Sequence, residues 1–323
     1  MSTVTPDPAA PVQIDRRGIR LGDVLFRGVA LVATVGVAAL LALITYQVFD
    51  LAWPAIQESG ISFIWTDTWN PNSNVYGALV FIYGTIVTAF IALLLATPLS
   101  VAIALFLTEI APRRVAAPIA TMVELLAAIP SVVLGLWGIL VFGPWVATHL
   151  EPWLQSTVGF LPIFSGDPSQ SGILPAALVL TIMIIPITSA ICRELFSRVP
   201  RDLTDGSLAL GSTRWEAIRR VSIPFAAPGI SAAVLLGLGR AFGEAIAVTQ
   251  VIGAGNTINR SLFPPGDTLA SKIAATYQGA SSNIEIASLA YLAVILLIIS
   301  LVTNVAAQVI VNRFQKARRM STG

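Results

Sequence analysis

The chain has one cysteine, one histidine and only two lysines in 323 residues. Each scarcity closes a class of function. Cys192 has no partner for an intrachain disulfide or a thiolate metal cluster, and is expected to pack as a small apolar residue. His149 is expected on the surface of a loop, and metal-dependent intramembrane enzymes need histidine or carboxylate clusters that the apolar runs lack. Acid proteases need two aspartates in facing spans, and no expected span holds one. Neither Lys272 nor Lys316 follows a glycine or precedes a Ser or Thr, so a P-loop of the form G-x4-G-K-[ST] is absent. The chain is not an ATPase of that type. No catalytic or metal-binding residues are expected. Charge is scarce as well, at 11% of residues against about 25% in soluble domains.

What is abundant is apolar. Hydrophobic residues make up 55% of the chain, and mean hydropathy is +0.81. About 20 apolar residues cross a bilayer. Six runs qualify: 24–49, 77–107, 115–147, 173–195, 226–252 and 285–312. The expected fold is an all-α integral membrane protein with six transmembrane helices. Pro98 and Pro130 are expected to kink the two longest.

The basic residues orient the spans. One side holds Arg16, Arg17, Arg20, Arg27, Arg113, Arg114, Arg193, Arg198, Arg201, Arg214, Arg219, Arg220, Arg313, Lys316, Arg318 and Arg319. The other holds Arg260 and Lys272, and Arg240 lies within a span. The positive-inside rule makes the rich side cytoplasmic, with both termini on it. Trp53, Trp65 and Trp69 in the outer loop 50–75 suit the headgroup layer. Residues 1–13, "MSTVTPDPAAPVQ", are Pro-rich and apolar-poor, as disordered tails are. "RRGIR" resembles a twin-Arg signal, but the run after it is too long and lacks an A-x-A site. It reads as a retained first span. The expected divisions are a cytoplasmic tail at 1–23, a first helix and outer loop at 24–75, a core at 76–312 and a cytoplasmic tail at 313–323.

The longest cytoplasmic loop, with its centre at 198–222, carries helix signals. Thr204 or Asp205 is expected to cap a short helix with Leu208 and Leu210 apolar. Gly211 permits a sharp turn. Ser212 or Thr213 then caps a second helix with Trp215, Ile218 and Val221, and Pro224 and Pro228 mark entry to the next span.

The spacing Asp205-x5-Gly211-x9-Val221-x-Ile223-Pro224 resembles the EAA loop of type I ABC-importer permeases. The departures are Asp for Glu, "GS" for two alanines, Val221 for Ile and Ile223 for Leu. The stretches "ELLAAIPSVVLGLWGI", "GLGRAFGEAIAVTQVIG" and "SLFPPGDTLAS" are more specific, and look like the PstC-type phosphate permeases. The likeness runs from about residue 76 to 312. It implies the type I permease fold, with Asp205, Gly211, Trp215, Ile223 and Pro224 coupling the loop to an ATPase. It implies a PstA-like second permease, a PstB-like ATPase dimer that uses ATP and Mg, and a PstS-like external phosphate-binding protein. No cofactor is expected on this chain.

Arg240 and Glu244 fall at i and i+4 in the fifth run. A charge at a span centre costs about 2.5–3.5 kcal/mol, so it should face protein or water. The flanking rows are small: Gly229, Ala233, Gly237, Ala241 and Ala245, and then Gly239, Gly243 and Ala247. The residues alone leave two readings open, an ion pair joining helices or a weak oxyanion transit site. The resemblance favours the second, with Arg240 forking onto phosphate and Glu244 competing for release. Ala245 stands where the family has Thr, so a hydroxyl contact is not carried over. Glu124 in the third span is expected to snorkel or to bond a neighbouring helix, with gating as a further role. Arg193 and Glu194 read as ordinary interfacial residues. "TLASKIAATYQ", 268–278, places Leu269, Ile273 and Tyr277 on one face, as an interfacial docking helix would. Rival readings are a permease for sulfate, phosphonate or an amino acid, and a non-transporting scaffold or sensor subunit.

Overall fold

The computed structural model describes residues 21–321. The tail expected at 1–23 lies outside the described residues as far as residue 20, as do the last two residues of the C-terminal tail. The main helices are α1 (Leu21–Ser59), α2 (Leu79–Leu105), α3 (Arg113–Ala127), α4 (Ser131–Trp137), α5 (Ile173–Ser197), α6 (Arg201–Ala209), α7 (Arg214–Ala217), α8 (Ile223–Gly243), α9 (Ile246–Ile252), α10 (Leu269–Thr276) and α11 (Asn283–Ser321). Six of the described helical stretches are long and apolar enough to cross a membrane: Val24–Ser59, Leu79–Ile110, Ser131–Val158, Ile173–Ser197, Arg214–Gly243 and Asn283–Val309.

The chain divides into two units, Met1–Gln47 and Val48–Gly323. The first contributes the start of α1, apolar and exposed all round from residue 24, which is the pattern of a helix in lipid. In the second unit α5 is the central helix and α2 is its main neighbour. The reason is a stripe of small residues. Ala89, Ala92, Ala96, Ser100 and Ala104 recur at three- and four-residue spacing on α2 and are all buried. Lipid offers no hydrophobic force between helices, so close backbone approach over small residues supplies the packing. Leu180 and Ile184 of α5 fill the space beside Ala89, Ala92 and Ala96. The Ser100 hydroxyl donates to the Ile185 carbonyl at 3.3 Å.

Several expectations need correction. The run 115–147 is not one span. Pro130 lies in extended backbone (φ −58°, ψ 139°), lacks an N–H and ends the helical path. Residues 113–127 form the separate amphipathic α3, and the crossing runs from Ser131 through π turns at Gly138–Phe142 and Val146–Leu150 to Val158. His149 is exposed as expected, but it sits on this helix, stacked on Trp145 at 5.7 Å. Pro98, by contrast, leaves α2 helical throughout.

Trp53 and Trp65 are exposed, as headgroup-facing rings would be, but Trp69 is buried against Tyr76 and Phe81. Lys272 explains it: its ammonium lies 5.2 Å from the Trp69 ring and 5.3 Å from Phe81. Rings that hold a desolvated cation face inward. The first half of helix α10 is likewise buried, while Ala274 and Ala275 are exposed. Leu269 is fully buried and Ile273 packs on the same core, so only Tyr277 of the expected face is exposed. A further correction concerns the fifth span and belongs with the site.

Candidate functional site

Helix α8 stops at Gly243. Glu244 takes extended backbone (φ −75°, ψ 107°), and α9 resumes two residues later. The expected span 226–252 is therefore a broken helix, and Arg240 and Glu244 do not share one continuous helical face. Broken backbone at membrane depth persists where it is buried in protein or lines a cavity. Here the Glu244 side chain helps to satisfy the break: its Oε1 accepts from the Ala247 N–H at 3.3 Å. Its Oε2 stands 3.8 Å from Arg240 Nη2, too far for a direct hydrogen bond. The charges are paired by proximity only. Glu244's side chain is 9% exposed and Arg240's 36%, so the carboxylate is sheltered while the guanidinium reaches open space. Arg240 Nε has no hydrogen-bond partner among the described residues.

The two rows of small residues have different uses. A Cβ on Gly237 would meet Ile184 Cγ2 at 3.1 Å and Leu93 Cδ2 at 3.4 Å, and Ala233 and Ala241 are buried beside it. That row is the packing face towards α5 and α2. At Gly239 and Gly243 a Cβ would meet nothing within 4 Å. That row is open. The break removes Ala245 and Ala247 from both rows.

Arg240 borders a groove of about 580 Å³ on this part of α8. Apolar walls come from Ile184, Ile187, Leu235 and Leu236. The polar lining besides Arg240 is Asn304 and Gln308, both from α11. Neither was singled out from sequence, although two carboxamides four residues apart in an apolar span are a readable signal. Glu244 is not part of the lining.

Glu124 is not brought to Arg240. It forms an ion pair with Arg193, joining α3 to α5. Arg193 is thus more than an ordinary interfacial residue. Glu194 pairs with Arg198 at 2.8 Å on the exposed helix end, as an interfacial residue would.

The loop 198–222 has the two helices expected of it, with shifted boundaries. Helix α6 begins at Arg201 behind Pro200, so Thr204 and Asp205 lie inside it instead of capping it. Gly211 has φ +90°, a conformation β-branched residues resist. Thr213 caps α7 in a reciprocal capping box with Glu216. Helix α7 then continues through a π turn at Ile218–Ser222 into α8, with Pro224 at its first turn, so the loop's second helix is the start of the fifth crossing. The expected residues separate into two groups. Asp205, Gly211 and Trp215 are exposed, with Leu203, Leu208 and Leu210 beside them, Leu210 at 90%. Ile223 faces the other way, packed with Cys192, Phe196 and Ala104 against α5 and α2.

A second charged cluster was not foreseen. Asp267 and Lys272 are both buried between α9 and α11. Asp267 Oδ1 accepts from the Thr268 N–H at 2.9 Å and from the Ser271 hydroxyl. Burial pushes the Asp267 carboxyl above the usual carboxylate range, while the Ser271 hydrogen bond and the Lys272 charge pull it back. Burial pushes Lys272 down, opposed by Asp267 and Glu285.

Residues 96–317 match the family described as binding-protein-dependent transport system inner membrane component. The phosphate transport system permease protein PstC of Xylella fastidiosa (strain 9a5c) is 40% identical over 323 residues, covering 98% of both chains. PstC of Pasteurella multocida (strain Pm70) is 39% identical over 298 residues, 91% of this chain and 93% of its own. PstC 1 of Mycobacterium tuberculosis (strain ATCC 25618 / H37Rv) is 38% identical over 289 residues, covering 82% and 86%. Among solved structures, a chain of a bacterial alginate ABC transporter in complex with an alginate-bound periplasmic protein superposes with TM-score 0.61 at 18% identity, covering 92% of this chain and 99% of that one. That likeness concerns the fold alone. Six apolar helices and this membership make it a multi-pass protein of a bacterial plasma membrane. The chain belongs to the family of binding-protein-dependent transport system inner membrane components, where its relatives are PstC-type permeases.

Proposed function

We propose that this chain is the transmembrane permease subunit of an ATP-driven ABC importer for inorganic phosphate. The observation that carries the reading is near full-length similarity to several phosphate transport permeases, together with a single arginine on a groove at membrane depth. Both termini and the loop 198–222 lie in the cytoplasm in this reading. A PstA-like permease completes the path, and a PstS-like protein delivers phosphate from outside. The exposed group Asp205, Gly211 and Trp215, with Leu210, docks on a PstB-like ATPase that uses ATP and Mg. Ile223 and Pro224 carry the motion inward, because Ile223 packs on α5 and α2.

Arg240 binds the anion in transit. Its planar fork donates parallel hydrogen bonds to oxyanions. The 3.8 Å gap to Glu244 leaves those donors free while the carboxylate stays close enough to compete. Competition keeps binding weak, as a conduction site requires. The Glu124–Arg193 pair serves as a latch between α3 and α5. Exposed ion pairs of this kind are worth about 0–1 kcal/mol, so conformational change breaks them readily.

The test is radiolabelled phosphate uptake by vesicles holding this chain with its co-purified partners, normalised to assembled complex. Arg240→Lys keeps the charge and loses the planar fork; it is expected to assemble but transport poorly. Glu244→Gln is expected to impair uptake as well. Near-normal uptake per assembled complex in both Arg240→Lys and Arg240→Gln removes the transit role and leaves the two charges as helix glue.

A further inference from the structure

Arg240 has donors and no acceptor. A protonated oxyanion such as H2PO4− presents both: charged oxygens that accept, and P–OH groups that donate. An arginine alone leaves the P–OH groups unsatisfied in a groove whose other walls are Ile184, Ile187, Leu235 and Leu236. Asn304 and Gln308 stand at i and i+4 on α11, on one helix face, and both line the groove that Arg240 borders. No hydrogen bond joins either amide to another described residue. Asn304 is half-buried inside the span, where a polar group without a partner is disfavoured, and Gln308 is exposed near the end of the span; a carboxamide is both donor and acceptor.

We propose that Asn304 and Gln308 form a second wall of the transit site. Their N–H groups donate to the charged oxygens of the anion, and their carbonyl oxygens accept from its P–OH groups. The wall therefore favours a protonated oxyanion over sulfate, which has no proton to donate at neutral pH. This inference rests on the assignment of Arg240 to the path.

The test uses the assembled complex with two kinds of variant. Asn304→Leu and Gln308→Leu remove the polar atoms at similar size. Uptake per assembled complex is expected to fall about ten-fold or more, the scale of one hydrogen bond to an ion. In a Cys192→Ala background, Asn304→Cys and Gln308→Cys add a single thiol with little bulk; native Cys192 is fully buried. A charged, water-soluble methanethiosulfonate is expected to react there, phosphate to slow the reaction, and modification to stop uptake. Normal uptake in both leucine variants, or thiols that react only with a lipophilic maleimide, overturns the proposal. Arg240→Lys is measured alongside. If it is impaired while the leucine variants are normal, only the second wall falls; if it also transports normally, the transit site itself falls.

Discussion

The contrast between Gly237 and Gly239 separates packing from path. At Gly237 a methyl would sit 3.1 Å from Ile184 Cγ2 and 3.4 Å from Leu93 Cδ2 and Thr188 Oγ1. Gly237→Ala gains about 0.8–1 kcal/mol of helix propensity, and the tight contact offsets most of it. Gly237→Leu adds further carbons against these contacts, although Gly237 also borders the groove, and overpacking costs about 1–3 kcal/mol. At Gly239 nothing lies within 4 Å, so Ala and Leu both keep the propensity gain of about 0.8–1 kcal/mol. The propensity gain is common to both leucine variants, so the expected difference between them is the overpacking cost, about 1–3 kcal/mol in the isolated chain. Unfolding by SDS titration in mixed micelles measures it. Uptake should sort the other way: Gly239→Leu is the better folded chain, yet its side chain enters the groove and should cut transport. Equal destabilisation by both leucines would refute the division into a packed and an open row.

Gly211→Val should keep the chain in the membrane but detach the ATPase, because φ +90° is strained for a β-branched residue; stoichiometric co-purification with normal uptake would count against the docking role. Cysteines placed near Asn72, Gln170 and Asn283 should be labelled from outside and those near Arg114, Ser212 and Ser321 should not; external labelling at Ser212 would invert the topology. Asp267 titrates above its unfolded value, so its contribution to stability is present at acid pH and lost as pH rises through the folded pKa. The stability of Asp267→Asn relative to the native chain should therefore rise from pH 4 upward, about where an unfolded Asp ionises, and a pH-independent difference would remove the burial argument.

The membrane class, the number of crossings and the loop helices are legible in the residues, because lipid imposes a simple rule: a span must be long, apolar and internally hydrogen-bonded. Gly211 and the Thr213 cap are equally local, and the structure keeps both. Prolines were less readable. Pro130 ends a helix and Pro98 does not, since the surrounding packing decides whether a missing N–H is tolerated.

Arg240 and Glu244 stand out in sequence because charge in an apolar run is rare. Their relation does not follow from spacing, because the i and i+4 rule assumes an unbroken helix, and the break at Glu244 answers to what packs around it. The amino-acid order by itself determined how many times the chain crosses the bilayer, the helices of the loop and which residues carry charge at depth. These follow from transfer energies and local backbone preference. Only the tertiary structure decided that Trp69 turns inward onto Lys272, that one glycine row packs while the other stays open, and that Asn304 and Gln308 line the Arg240 groove. Those are contacts between segments tens to hundreds of residues apart, and their energies depend on shape complementarity that no single segment contains.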